Sequence, residues 1–539
     1  MISYKVDLQG KTREFPHYWE QCIGSCHAAT VLRADVQAQI RRAHEECGFQ
    51  YLRFHGLFDD DMSVAFNSMG MGPVQYSFVN IDAIFDFLLS IGMRPFVEVG
   101  FMPSVLASGT QTCMHYRGNV TMPESDEAWE SLIRKFAEHL LHRYGEEEVA
   151  QWFFEVWNEP NLNFFFDGTQ EDYFHLYEIT ARTLKSVSGR LRVGGPATSV
   201  NAWIPEFRAY CENRGVPLDF ITTHHYPSDD PFSQMGMNGP GVKGQNPAAD
   251  PELRARFEAM SEEEKQAMIA QMFSRENKNP RDILAQMTRK AKAEAGDYPL
   301  YYTEWNGSKE YDTSYQAAFI AQTIAYNEKL VEGYSFWTVS DFFEEMGMKA
   351  GPFKNEFGIQ TIYGVRKPSY RIFEALHQAG AKRLDVERVA ASGSGVAADG
   401  TETEVCGTTD SCSAEAKEGG AEQDGYRTAE VMALTDGKQT TLFVYNHDLE
   451  RRQIQTQEVE ITLCGPVRRI EVAQINETHC NPLRAWKQMG EPEYPNAAQI
   501  KAMNEASQMV YEEMPVEAGE EQTIRLTMEP ESVAVIRIC

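Results

Sequence analysis

The chain has 539 residues, of which 42% are hydrophobic and 24% charged, a composition typical of a globular protein with a large core. Its formal net charge of −29 argues against nucleic acid, an anionic membrane or a polyanionic substrate as a partner held by overall electrostatics. A neutral or cationic substrate fits this charge better, and the length predicts about two to four domains.

The N-terminal segment gives no sign of export. Its first twenty residues, MISYKVDLQGKTREFPHYWE, contain no apolar stretch of signal-peptide length. The long run 99–116 is interrupted by Gly, Pro, Ser and Thr, so it predicts no membrane span. Ten cysteines are too few for a disulfide scaffold in a chain of this length. We therefore expect reduced thiols and a cytoplasmic location.

Between about residues 17 and 380, short apolar runs alternate with amphipathic helical patterns such as Ile81–Ile91 and Glu127–Tyr144. There are eight such runs: WEQCIGSC, YLRFHG, RPFVEVG, WFFEVWNEP, RVGGPA, FITTHHYP, LYYTEWNG and GYSFWTVSD. Eight strand–helix units predict an α/β fold, a TIM (β/α)8 barrel. An open doubly wound sheet is the second choice, but CIGSCHAAT lacks the GxGxxG that such a fold often places after its first strand.

The remaining sequence predicts a second, β-rich domain. Six β-like runs follow residue 425 and suggest an accessory β-sandwich over 381–539, with a low-complexity acidic excursion near 390–425. The alternating segment 1–16 is expected to add a strand to it, which leaves 17–380 for the barrel. A long loop, 228–279, is predicted after the sixth barrel strand and is a candidate for reshaping the site.

Polar residues recur where these apolar runs end, which in a TIM barrel is the active-site face. They are His55, Asn158, Glu159, His224, His225, Tyr226, Glu304, Asn306, Trp337, Asp341, Glu344 and Glu345. Two carboxylates on different strands, Glu159 and Glu304, are what glycoside hydrolysis requires: a proton donor and a nucleophile or base. Asn158 could bind the sugar 2-hydroxyl.

The aromatic run WFFEVWNEPNLNFFF around Glu159 would keep that acid protonated, because an apolar wall disfavours the charged form. Glu155, in the same run, is predicted to point into the barrel interior, either as a paired, supporting carboxylate or simply as a shield for a polar layer. A metal site built from His224, His225 and Glu304 is an alternative. Adjacent strand residues face opposite sides, however, so only one histidine should face the site.

Cys22 and Cys26 have a C-x3-C spacing that could also suit a metal, but no second Cys/His pair of matching spacing accompanies them. The sequence therefore predicts no metal site and no cofactor.

The motifs FEVWNEPNL, TEWN, FWTVSDFFEE and the segment Arg53–Leu57 resemble those of family 39 glycoside hydrolases of the bacterial β-xylosidase type. The resemblance covers about residues 15–380. It implies that Glu159 is the general acid/base and Glu304 the nucleophile of a retaining mechanism. The sugar-binding residues that it implies are His55, Asn158, His224, Tyr226, Trp337, Glu344 and Glu345.

The resemblance also implies an exo-acting enzyme that releases xylose from short, neutral xylooligosaccharides and that forms a homo-oligomer, either a dimer or a tetramer. Residues 113–116 depart from the aromatic run expected of the family, which leaves the aglycone contacts open.

Other specificities remain alternatives. An α-L-iduronidase would need cations, for which Arg53 and Lys309 are the candidates at the strand ends, while a β-glucosidase, β-galactosidase or arabinosidase would need a differently shaped pocket. From another class, the alternative is a non-catalytic sugar-binding protein.

Overall fold

In the computed structural model of the chain, the residues described are 1–229, 260–261, 279–307, 309–345, 347–389, 427–449, 454–517 and 519–539. Almost all of the loop 228–279, and the whole excursion 390–425, lie outside these residues. Among the helices that are described, none combines the length and the apolar character needed to cross a membrane.

Eight parallel strands close into a barrel in chain order, which confirms the predicted TIM fold. Each strand coincides with one of the eight apolar runs. In chain order the strands are Cys22–His27, Tyr51–His55, Arg94–Val99, Phe153–Val156, Arg192–Thr198, Phe220–His225, Leu300–Trp305 and Gly333–Phe336.

Helices connect the strands and pack around them. The α-helices of this part are Ala28–Val31, Ala34–Cys47, Val79–Ser90, Asp126–Tyr144, Glu146–Val149, Gln170–Val187, Ile204–Arg214, Ile283–Ala295, Ser314–Tyr326 and Pro368–His377. Short 3-10 turns are Tyr18–Glu20, Asp60–Met62, Ser68–Gly70, Ser104–Leu106 and Ser199–Asn201, and two small hairpins pair Ala65–Phe66 with Gln75–Tyr76 and Thr112–Cys113 with Gly118–Asn119. Thr169 begins the helix after the fourth strand with a capping box, in which its hydroxyl and the Asp172 carboxylate satisfy each other's backbone N–H groups.

The barrel interior is layered because inward and outward side chains alternate along each strand. The third and fourth strands carry the same inward pattern, an aromatic residue and then a carboxylate, and Phe96 and Glu98 lie in register with Phe153 and Glu155. The phenylalanines fill the lower layer, together with Phe220. The carboxylates form the layer above it, directly beneath the carboxyl ends of the strands.

Two sheets form the second unit. One has four strands, in the order Val386–Val389, Ile2–Asp7, Gln457–Cys464 and Glu521–Met528. The other has seven, in the order Thr12–Glu14, Lys382–Leu384, Ala429–Thr435, Thr440–Asn446, Ser532–Ile538, Ile470–Ile475 and Glu512–Met514. The N-terminal strand thus lies between two strands of the C-terminal region.

The seven-stranded sheet is buried on both faces. Along the strand Thr440–Asn446, Leu442 and Val444 join the apolar core shared with the four-stranded sheet. Phe443 and Tyr445, which alternate with them, join the core that surrounds the barrel. The sheet therefore forms one layer of a sandwich and also the surface on which the barrel rests. The domain bounds 1–16, 17–380 and 381–539 stay a prediction.

Two helices that the sequence analysis did not anticipate, Pro482–Gln488 and Ala497–Ala506, interrupt the second unit. Trp486 and Met503 from these helices pack against Phe353 and Val365, which lie in the loop after the eighth barrel strand. That loop also carries Glu344 and Glu345, so the second unit supports a segment of the active-site face.

Candidate active site

Glu159 and Glu304 face each other at the carboxyl end of the barrel. Glu159 lies three residues beyond the fourth strand, in a turn held by a hydrogen bond from its backbone N–H to the Ala197 carbonyl (2.8 Å). Glu304 is the penultimate residue of the seventh strand. Both are buried, and a carboxylate oxygen of each lies within 4.8 Å of the other.

Two donors orient the Glu304 carboxylate. Arg53 Nη1 donates to Oε1 (2.8 Å), and the Tyr226 hydroxyl donates to Oε2 (2.9 Å). A permanent cation and a neutral hydroxyl, one on each oxygen, hold a carboxylate in a single orientation. This geometry suits a group that must attack a carbon atom along one direction.

Arg53 joins four groups at once and has no exposed surface. Besides Glu304, it contacts Glu155 through Nε (2.5 Å), and Asn158 Oδ1 and Glu98 through Nη2 (2.9 Å each). Although burial opposes its charge, the carboxylates of Glu155, Glu98 and Glu304 raise the pKa of Arg53. The prediction that Glu155 is a paired carboxylate inside the barrel is confirmed.

Glu159 has a different environment. Burial raises the pKa of Glu159 to about 7, helped by the nearby charge of Glu98 and opposed by the hydrogen bond to Ser199 and the charge of Arg53. A carboxylic acid with this pKa is largely protonated below neutral pH. The two glutamates are therefore placed to play different parts.

A directed chain of hydrogen bonds assigns the proton between Glu159 and His224. The Thr303 hydroxyl donates to Glu155 (2.7 Å), so its oxygen accepts from Nε2–H of His224 (3.1 Å). Burial lowers the pKa of His224 to about 4, so the imidazole is neutral and Nδ1 has a free lone pair. Nδ1 lies 3.0 Å from Glu159 Oε1, which places the carboxyl proton on Glu159 as the donor.

An imidazole and an indole form a wall beside Glu304. His55 Nε2 lies 3.6 Å from Glu304 Oε1 and 3.8 Å from Glu345 Oε1, and burial lowers the pKa of His55 to about 3. The Trp337 ring lies against His55 with centroids 4.6 Å apart. It also lies so close to Gly24 that a β-carbon there would meet the ring at 2.2 Å, which explains the glycine in the first strand.

The other predicted residues divide between the site and its surroundings. Asn158 and Tyr226 contact the catalytic cluster directly, as described above. His225 points the other way and pairs with the Tyr334 hydroxyl (2.6 Å), as strand alternation predicted. Glu345 faces the site, whereas the Glu344 carboxylate turns to His27 Nδ1 (3.1 Å). Of the cysteine pair, Cys22 lies in the lower barrel layer and Cys26 in a separate cluster beside Trp337.

Glu98 and Thr303 belong to the site without having been predicted from the sequence, where Arg53 appears only in a family motif and as a candidate cation for a uronate. A signal was present for two of them, because Arg53 and Glu98 are charges in the middle of apolar strands, and such charges are buried only when paired. Thr303 carried no such signal, since threonine is common in strands.

A family model described as "Glycosyl hydrolases family 39" matches residues 2–238 and 256–522. The chain belongs to glycosyl hydrolase family 39. As a family 39 member it is a glycoside hydrolase, and the predicted family resemblance is confirmed.

Two family relatives match along nearly the whole chain. A protein of Caldicellulosiruptor saccharolyticus named "Beta-xylosidase" is 39% identical over 548 residues, covering 100% of this chain and 97% of the relative. Another "Beta-xylosidase", from Geobacillus stearothermophilus, is 30% identical over 523 residues, covering 94% of this chain and 90% of the relative. A solved structure described as a monomeric beta-xylosidase from Caulobacter crescentus CB15 is 27% identical, with a TM-score of 0.75 over 100% of this chain and 99% of that one.

Proposed function

We propose that the chain is a retaining, exo-acting β-xylosidase that releases terminal xylose from β-1,4-linked xylooligosaccharides. The observation that carries the retaining mechanism is the approach of the Glu159 and Glu304 carboxylate oxygens to within 4.8 Å. Retaining glycosidases hold their two carboxyl groups about 5–5.5 Å apart, whereas inverting enzymes leave about 6.5–9.5 Å for a water molecule.

In the first step Glu304 attacks the anomeric carbon and the bond to the leaving oxygen breaks, while the carboxyl proton of Glu159 moves to that oxygen. The products are a glycosyl ester on Glu304 and a free aglycone. In the second step the ionised Glu159 takes a proton from water as the water oxygen attacks the anomeric carbon. The ester bond breaks, and both carboxyl groups return to their starting forms.

Xylose specificity draws its support from the two relatives named "Beta-xylosidase", which match almost end to end. An α-L-iduronidase of Mus musculus is 27% identical and covers only 33% of this chain and 28% of that protein. The cations considered for a uronate also fit poorly. Arg53 already contacts four protein groups, and Lys309 is exposed.

The test is hydrolysis of a panel of nitrophenyl glycosides, with the β-D-xyloside expected to have the highest kcat/KM. The panel includes the α-L-iduronide, β-D-glucoside, β-D-galactoside and α-L-arabinoside. Preference for any of these would overturn the assigned sugar. Loss of turnover across the whole panel, with sugar binding retained, would favour a sugar-binding protein.

Variants test the two carboxylates. Glu304→Ala should lower kcat by about 10⁵-fold or more because the nucleophile is lost. Glu159→Ala should also lose activity, and azide should restore part of it because azide attacks the glycosyl ester without the help of a base. Glu124→Ala is the control, because Glu124 is an exposed glutamate in the loop after the third strand. This variant should retain wild-type activity. Proton NMR should show β-xylose as the first product, and α-xylose first would contradict retention.

The cytoplasmic location and a homo-oligomeric state, dimer or tetramer, also stay proposals. Light scattering on the purified chain tests the second of these, and a mass of one chain would overturn it.

A further inference from the structure

Three side chains converge at the rim of the barrel next to the catalytic site. His27 ends the first strand, and Asp59 and Asp61 follow the second. His27 Nε2 lies 3.3 Å from Asp59 Oδ2 and 3.6 Å from Asp61 Oδ1, and one ligand atom of each residue lies within 4.8 Å of the others. None of the three takes part in the mechanism described above.

The contact between His27 and Asp59 is longer than the imidazole–carboxylate hydrogen bonds found among the residues that the structure describes. The His55–Glu98 and His139–Asp82 pairs of this chain are 2.7 and 2.8 Å long, whereas the His27–Asp59 separation is 3.3 Å. His27 Nε2 and both carboxylate oxygens of Asp59 are buried and have no hydrogen-bond partner within the described part of the chain. His27 is 0% exposed and Asp59 3%. Burying polar atoms without a partner is costly, so these atoms call for a ligand.

The separations fit the edges of a coordination polyhedron. Nitrogen and oxygen ligands bind zinc at about 2.0–2.2 Å, so at tetrahedral angles they lie about 3.3–3.6 Å from each other. The observed 3.3 and 3.6 Å are of this size. One imidazole and two carboxylates also form a donor set that zinc accepts, with a water molecule as the fourth ligand.

The surroundings of His27 complete the arrangement. Nδ1 lies 3.1 Å from Glu344 Oε2, and a hydrogen bond donated to this carboxylate leaves Nε2 facing the two aspartates. Although burial opposes the charge, the Asp59 and Glu344 carboxylates raise the pKa of His27 to about 9, so a bound ion takes the place of the proton on Nε2. Tyr116 stacks on the imidazole at 4.1 Å with the rings 8° from parallel, which restrains its rotation. A carboxylate behind a metal-binding histidine is a recurrent feature of zinc sites.

We propose that His27, Asp59 and Asp61 form a binding site for a divalent metal ion of the zinc class. The Asp61 side chain is 46% exposed and gives the ion a route from solvent. Through Glu344, the ion would join the loops after the first, second and eighth strands, beside the wall formed by His55 and Trp337. The proposal does not depend on the identity of the sugar.

The test uses the full-length protein after dialysis against EDTA. Titration with ZnCl₂ in a calorimeter should show a site of micromolar or tighter affinity, weakened at least 100-fold by Asp59→Asn. Asp60→Asn is the matched control, because it removes the same charge from the adjacent residue. The Asp60 carboxylate accepts a hydrogen bond from the Ser104 N–H and is not one of the three proposed ligands. This control should bind zinc like the wild type.

Anomalous diffraction from wild-type crystals soaked in zinc shows which of the candidate sites binds the ion. This measurement does not depend on whether a variant folds. An anomalous peak within about 2.2 Å of His27 Nε2 supports the proposal. Zinc only at Glu159, His224 and Glu304, or only at His17, Glu20 and His377, would overturn it, since both of these groups also bring ligand atoms together. Equal affinity in Asp59→Asn would overturn it as well.

Discussion

The position of the proton on Glu159 is set by a chain of hydrogen bonds that starts at Glu155. Glu155 accepts from Thr303, which fixes the direction of the hydrogen bond from His224 and hence the lone pair that Glu159 meets. Both hydrogen bonds of His224 require a neutral imidazole, and burial keeps it neutral by lowering the pKa of His224 to about 4. Thr303 is therefore placed to orient His224 toward Glu159.

The pH profile gives the test of this chain. Glu159 must be protonated to donate, so kcat/KM should fall as pH rises through about 7, the value to which burial raises its pKa. In Thr303→Val the imidazole loses its acceptor at Nε2 and can move its proton to Nδ1, where it stabilises the ionised Glu159. The alkaline limb should then shift about one unit toward acid.

Thr303→Ser keeps the hydroxyl and should keep the wild-type profile, which separates the hydrogen bond from packing. An alkaline limb that is unchanged in the valine variant would contradict the assigned direction of the chain.

At the scale of the element, a bulge aims two neighbouring side chains into the barrel. In the seventh strand, Tyr302 pairs with Thr223 and Glu304 with His224, so Thr303 is the extra residue. Strict alternation would turn either Thr303 or Glu304 away from the interior. The bulge lets the Thr303 hydroxyl and the Glu304 carboxylate share one side, which is a recurrent use of bulges beside active sites.

Arg53 connects four strands of the barrel. Its guanidinium joins the second strand to the third, fourth and seventh through Glu98, Glu155 and Glu304. Arg53→Met should lower the free energy of unfolding by about 3–5 kcal/mol, because it leaves buried carboxylates without a counter-charge. Arg53→Lys should recover only part of this, since an ammonium cannot reproduce the planar fork.

Urea denaturation measures the effect. Arg94→Met is the control, because Arg94 and Glu148 form a partly exposed pair for which about 0–1 kcal/mol is expected. Similar losses for the two methionine variants would contradict a central role of Arg53.

At the scale of the whole molecule, barrel and sandwich share a core. Phe443 and Tyr445 face the barrel, and helix Ser314–Tyr326 contributes almost entirely buried residues to the same apolar cluster. Neither unit buries this surface alone. We therefore expect the two to unfold together, in one calorimetric transition.

Phe443→Ala should destabilise both units by about 3–5 kcal/mol, because a large side chain is removed from a packed interior. Thr527→Ala, on an exposed face of the four-stranded sheet, is the control and should change stability by less than about 0.5 kcal/mol. Two separate transitions, with only the sandwich affected by Phe443→Ala, would show that the interface is not shared in this way.

Local patterns were sufficient for much of this molecule. Eight apolar runs with helices between them determine a (β/α)8 barrel, since parallel strands need crossover helices and close in chain order. The same rule brings the strand ends together, and with them Glu159 and Glu304, although 144 positions separate the two. The six β-like runs near the C-terminus likewise became strands.

Only the tertiary structure decided which side chains meet. Glu344 and Glu345 are neighbours in sequence, yet one turns to His27 and the other to His55, because each direction depends on the packing of a loop supported from the second unit. The bulge at Thr303 and the contacts of Arg53 depend on strand register, which a period of two cannot reveal. The His27, Asp59 and Asp61 cluster has no sequence spacing typical of a metal site, because its ligands come together only when the barrel closes.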